Sequence, residues 1–219
     1  MPDSLSPLGD SSILIHLGDD IDVATNLRVH ALDARLRKAQ PEGVIETVPA
    51  YATLLVHYDP LLLTYSQMTE WLERELAHID STLSRKPRNI QVPVRYGGEG
   101  GPDLPFVANY HRASAEEIIR LHTGRDYTVF MMGFTPGFPY MGKLDDALAT
   151  PRLDTPRTRV PSGSVGIAGS QTGIYPIDSP GGWQIIGHTA MQIFDLSASE
   201  PFLFAPGDTV RFIAESADA

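Results

Sequence analysis

The 219-residue sequence predicts a two-part α+β protein: a small, ferredoxin-like N-terminal half-sheet carrying two helices, then an antiparallel β-barrel. Three observations predict it. Up to Ile79, β-rich runs alternate with two stretches of helical apolar period. From Tyr127 to Phe212 almost nothing has helical period, and short β runs are punctuated by turn residues, the pattern of a closed or nearly closed barrel. Between these parts, the polar segment Asp80 to Asn89 reads as a linker, which divides the chain into domains at residues 1–85 and 86–219.

The N-terminal part reads β-α-β-β-α. A strand at Ser12 to Leu17 precedes a helix from about Asp20 to Ala39, with Ile21, Ala24, Leu27, Ala31 and Ala34 at helical spacing. Pro41 and Gly43 stop that helix. Runs at Val44 to Val48 and Thr53 to Tyr58 read as strands, and Met68, Trp71, Leu72 and Leu76 mark a helix from about Ser66 to Ile79. This order matches a ferredoxin-like plait that lacks its last strand. In the second part, Gln91 to Arg95 alternates as a strand, and GGEGGPDLP is too rich in Gly and Pro for regular structure. Ser114 to Glu117 reads as a capping box opening a helix at Ala115 to Thr123. Strands follow at Thr128 to Met132, Ser164 to Ala168, Trp183 to Gly187, Met191 to Phe194 and Thr209 to Ile213.

Composition removes several function classes. A formal charge of −10 without any Lys/Arg cluster argues against nucleic acid and anionic membranes as partners. The apolar run at Ile13 to Leu17 is too short for a signal peptide or a membrane span, so a cytosolic location is expected. With no cysteine, disulfide, thiolate and Cys-zinc chemistry are excluded. The seven histidines show no H-x-x-x-H or H-x-H spacing, so no metal is expected on this chain. Neither G-x-S-x-G nor S-x-x-K occurs, which disfavours a self-contained serine hydrolase.

Chemistry concentrates between Gly133 and Thr189, where 10 Gly and 7 Pro fall among 57 residues. Interleaved Phe134, Phe138, Tyr140, Tyr175 and Trp183 give this stretch enough apolar mass to pack, which suggests shaped loops on a barrel rim. Gly137 to Lys143 matches G-x-x-x-x-G-K, but Leu144 replaces the Ser/Thr that would hold Mg²⁺, and Pro139 removes a cradling N–H. Arg152, Arg157 and Arg159 sit on a proline-stiffened backbone suited to an anion, with ion pairing to nearby Asp as the competing role. Ser162 and Ser164 add hydroxyl and N–H donors suited to an oxyanion, although Ser here also simply forms turns. His188 ends a predicted strand beside the Gly-rich loop, where it can act as acid, base or anion contact.

The strings GFTPGFPYMG (133–142), TPRLDTPRTRVPSGSVGIAGSQTGIYPIDSPGGWQIIGHT (150–189) and FAPGDTVRF (204–212) closely resemble the family of the B-type subunit of 5-oxoprolinase, also called allophanate hydrolase subunit 1 or KipI-like. The resemblance covers nearly the whole chain. It implies a cyclophilin-like β-barrel after the N-terminal domain. It further implies that the chain works with the A-type and C-type subunits of that enzyme to open 5-oxoproline to glutamate at the expense of ATP. Relatives among urea carboxylase domains, and an inhibitor of a sporulation histidine kinase, are implied as well. Two residues depart from the family pattern: His188 stands where Arg is expected in G-R-T, and Lys143 where a small residue is commoner.

The expected site therefore has His188, Ser162 and Ser164 as catalytic residues and Arg152, Arg157, Arg159, Gln171 and Tyr175 as substrate or anion contacts. Phe134, Pro136, Phe138, Tyr140 and Trp183 form its aromatic groove. ATP is expected to serve the complex without a clear site on this chain. In the competing role, the same aromatic groove grips a helix or a proline-containing segment of a histidine kinase.

Overall fold

A computed structural model describes residues 3–79 and 86–215. They form two compact units, Met1–Lys86 and Pro87–Ala219. Most of the expected linker, residues 80–85, lies outside the described residues. No helix among the described residues is long and apolar enough to cross a membrane.

The first unit runs β1 (Ser4–Pro7), β2 (Ser12–His16), α1 (Val23–Ala39), β3 (Val44–Pro49), β4 (Thr53–Tyr58) and α2 (Tyr65–Leu76). Its sheet has the order β1-β2-β4-β3 with every pair antiparallel. The edge place that a ferredoxin-like plait gives to its last strand is taken here by β1, from the front of the chain. Period-2 alternation puts Ile13, Ile15, Leu54 and Val56 on the face that packs against Val29, Leu32 and Leu36 of α1 and Met68 and Leu72 of α2.

The buried stripe of α1 differs from the expected one. Asp22 caps the helix, its carboxylate accepting from Thr25 N–H at 2.8 Å, so the helix starts at Val23 and not near Asp20. The bulkier Val29, Leu32 and Leu36 turn inward, while Ala24 is exposed. Asn26 joins them because its amide donates to the carbonyls of Ala50 and Tyr51, each at 3.1 Å. Thr64 and Gln67 form a full capping box on α2.

The second unit contains β5 (Asn89–Tyr96), α3 (Leu104–His111), α4 (Ala115–Thr123), β6 (Asp126–Met132), β7 (Pro139–Gly142), β8 (Arg157–Val160), β9 (Ser164–Ala168), β10 (Gln171–Ile174), β11 (Ser179–Gly181), β12 (Gln184–His188) and β13 (Thr209–Ala214). Seven strands close a barrel in the order β10-β7-β6-β13-β5-β12-β9, and β8 with β11 forms a separate ribbon. An odd ring cannot alternate direction throughout. The mismatch falls on β5 and β13, which pair in parallel, while the other neighbours are antiparallel. Val92, Val129, Ile167, Ile174, Ile186 and Phe212 pack with Val107 of α3 and Ile118 of α4 in one core.

Three expectations are corrected here. The stretch GGEGGPDLP contains a 3-10 turn at Gly98–Gly100 and the start of α3, where Pro105 occupies the first turn and its missing N–H costs nothing. Met191 to Phe194 is not a strand: of these residues only Phe194 makes a bridge, to Phe202, and the barrel uses β7 and β10 instead. Ser114 caps α4 by accepting from Glu117 N–H at 3.2 Å, but the Glu117 carboxylate binds Arg120 at 2.6 Å instead of closing the box.

His122 on α4 is wholly buried against the Phe212 ring. Thr172 donates its hydroxyl to the Gly166 carbonyl, so it accepts from His122 Nε2–H at 2.9 Å, and Nδ1 then accepts from the Tyr96 hydroxyl at 2.7 Å. Burial lowers the imidazole pKa from 6.5 to about 3. The unfolded chain therefore takes up a proton below pH 6.5 that the folded chain refuses, and stability falls as pH drops from 6.5 toward 3. At pH 4.5 this group alone lowers stability by about 2 to 3 kcal/mol. Urea midpoints at pH 8 and pH 4.5 check this: His122→Gln should be weaker at pH 8 and lose less on acidification than the wild type.

Candidate functional site

Two of the hollows among the described residues of the second unit divide the residues expected to act together. The first, of about 240 Å³, is walled by Phe134, Phe138, Tyr140, Tyr175 and Trp183, with Arg152 on its lining. The second, also about 240 Å³, is lined by Glu99, Arg157, Ser164 and His188. Arg152 thus stands apart from Arg157 and His188, because β8 leads Arg157 toward Asp103 at the start of α3. Gln171 and Pro136 line neither hollow.

In the aromatic hollow, Phe138 is the hub. Its ring meets Tyr140, Tyr175 and Trp183 edge-on at centroid distances of 4.9, 5.1 and 5.4 Å. Phe134 stands above it at 5.7 Å, exposed, at a left-handed φ of 65° that a bulky residue rarely adopts. Burial raises the pKa of both Tyr140 and Tyr175; the charge of Arg152 opposes the shift at Tyr140, and at Tyr175 a backbone hydrogen bond from Trp183 opposes it ahead of Arg152. The backbone around Arg152 is braced on both sides. The Gln184 amide donates to the Pro151 carbonyl at 2.9 Å, and Leu153 N–H donates to Gly182 O at 2.8 Å. Arg152 is exposed and has no carboxylate partner among the described residues.

The other two arginines are engaged. Arg157 donates to Asp103 at 2.6 Å and to the Trp183 carbonyl at 3.4 Å, and the second Asp103 oxygen accepts from Ile185 N–H at 2.6 Å. Arg159 pairs with Asp178 at 2.6 Å on the surface. The Asp178 carboxyl is held below its ordinary range by Ser162 N–H and then by Arg159. Ser162 also donates its hydroxyl to Pro176 O at 2.8 Å, so both its donors are committed and neither is left for an oxyanion.

His188 is fixed by Nε2, which donates to the Ser162 carbonyl at 2.9 Å. Its ring lies on Gly163, which has φ +83°, and a Cβ there would come within 2.7 Å of Nε2. Glu99 and Asp103, absent from the expected site, come from the stretch expected to be irregular; Asp immediately before a Leu-Pro helix start was the readable signal for Asp103. The G-x-x-x-x-G-K match at Gly137 to Lys143 contains β7, which pairs with β6 and β10. It therefore lacks the strand–loop–helix context of a phosphate loop.

Comparisons with known proteins agree with this architecture. Residues 4–204 match the family model for the carboxyltransferase domain, subdomains C and D. The B-type subunit of 5-oxoprolinase from Bacillus subtilis (strain 168) is 40% identical over 95% of this chain and 91% of its own length. That of Escherichia coli O157:H7 is 40% identical over 95% and 94%. The crystal structure of TTHA0988 superposes with a TM-score of 0.82 at 38% identity, over 95% of this chain but only 41% of that longer one. The chain belongs to the carboxyltransferase C- and D-subdomain family, the family of the B-type subunit of 5-oxoprolinase.

Proposed function

We propose that this chain is the B-type subunit of an ATP-dependent 5-oxoprolinase, which opens 5-oxo-L-proline to L-glutamate together with A-like and C-like partner subunits. The observation that supports this reading is Arg152, on a braced backbone and without a carboxylate partner among the described residues, beside a small aromatic-walled hollow. A 5-oxoproline ring is compact and carries one carboxylate. The carboxylate meets the Arg152 guanidinium, the ring packs on Phe138 and Trp183, and the Tyr140 and Tyr175 hydroxyls face the lactam group. Because the backbone on either side of Arg152 is already fixed, the ordering that opposes binding falls on its side chain alone. ATP supplies phosphoryl activation of the unreactive amide oxygen. With the G-x-x-x-x-G-K stretch on a strand, that step is assigned to the partner subunits, and this chain binds, orients and shields the lactam.

Mixing the purified chain with its partner subunits, ATP and 5-oxoproline should release glutamate, and omitting the chain should abolish release. Arg152→Ala should raise KM by about tenfold to a hundredfold, the loss of one charge-assisted contact. Unchanged kinetics would remove the aromatic hollow as the substrate site. Stable capture of a sensor histidine kinase without glutamate release would favour a regulatory module instead.

A further inference from the structure

The second hollow has a donor and acceptor pattern that the lactam does not use. Arg157 lines it, and its guanidinium carries more N–H donors than its bonds to Asp103 and the Trp183 carbonyl use. Glu99 is exposed and can only accept when ionised. Nε2 of His188 donates to a carbonyl, so in the neutral imidazole Nδ1 is a bare acceptor, and it has no partner among the described residues. Ser164 also lines the hollow, and its hydroxyl has no partner among the described residues.

The hollow is also built around His188. A Cβ on Gly100 would come within 2.9 Å of the His188 Cβ, and one on Gly163 within 2.7 Å of Nε2, so a glycine on each side lets the ring lie where it does. Asp103 already offsets the charge of Arg157, so Glu99 opposes a simple anion here, while a simple cation leaves the remaining Arg157 donors unused. A small zwitterion satisfies both.

We propose that this hollow binds a zwitterionic α-amino acid, with its carboxylate on Arg157 and Ser164 and its ammonium on Glu99 and His188 Nδ1. The site stands on this geometry and is independent of the lactam reading, though a reaction that converts a lactam to an amino acid would supply such a ligand.

The test titrates the chain alone, without partner subunits or ATP, with L-glutamate, L-alanine and glutarate, by calorimetry and by amide NMR shifts. At least one of the two amino acids should bind saturably and shift the amides of Gly100, Ser164 and His188. Glutarate, which lacks the ammonium, should bind about tenfold more weakly or not at all. Glu99→Gln should weaken amino-acid binding by about tenfold at an unchanged melting temperature. Arg152→Ala should leave amino-acid binding unchanged. No saturable binding of either amino acid, equal binding of glutarate, or indifference to Glu99→Gln would each overturn the proposal. A failure here leaves the Arg152 kinetics untouched, so the two sites are judged separately.

Discussion

Asp103→Ala lowers the stability of the barrel unit by about 3 to 5 kcal/mol, the expected cost of breaking a largely buried ion pair from one side. One carboxylate oxygen accepts from Arg157 at 2.6 Å and the other from Ile185 N–H at 2.6 Å, with side-chain exposures of 11% for Asp103 and 31% for Arg157. Truncation strands a guanidinium and a backbone donor together, and the loss exceeds what the intact pair contributes. Glu117→Ala provides the contrast. It removes an ion pair of similar length, but its partners are 68% and 43% exposed, so a much smaller loss than for Asp103→Ala is expected. Urea denaturation of both variants checks the difference, and equal midpoints would show that Asp103 does not anchor the α3 entry to β12.

Gly163→Ala is expected to cost about 3 kcal/mol or more. The residue has φ +83°, and an added Cβ would strike the Thr189 carbonyl oxygen and approach His188 Nε2 at 2.7 Å. Its own N–H donates to Tyr175 O at 2.7 Å and its carbonyl accepts from Thr189 N–H at 2.9 Å, so the backbone cannot easily retreat. Gly169→Ala separates strain from collision. Gly169 also has a positive φ, +53°, but nothing lies within 4 Å of the added carbon, so only the conformational cost of about 1 kcal/mol remains. A Gly163 variant no worse than the Gly169 variant would mean that the His188 loop adapts to the extra carbon.

The first unit was legible wherever side chains alternate with period two, as in β2 and β4, because a one-face core demands that alternation. Ser4–Pro7 escaped because its register comes from pairing with β2 and not from its own Ser- and Pro-rich composition. The start of α3 was hidden by the Gly and Pro around it, although a proline in the first helical turn is a start signal. The aromatic wall was legible as a group, since Phe134, Phe138, Tyr140 and Trp183 all line one hollow. The fates of the arginines were not. Arg157 is taken by Asp103, 54 residues earlier, and Arg159 by Asp178, 19 residues later, pairings that exist only once the chain is folded. Arg152 carries the same charge in the same proline-rich string, and only the folded chain separates it from its neighbours.

The parallel pairing of β5 with β13 bears on how this unit is made on the ribosome. Residues 209–214 slot between β5 and β6, both synthesised earlier, so those two edges wait open while the chain from β7 to β12 is made. A nascent chain halted before Thr209 is a curled sheet with two bare rims, and the walls around Trp183 and His188 acquire their final spacing only after the closing strand has been released.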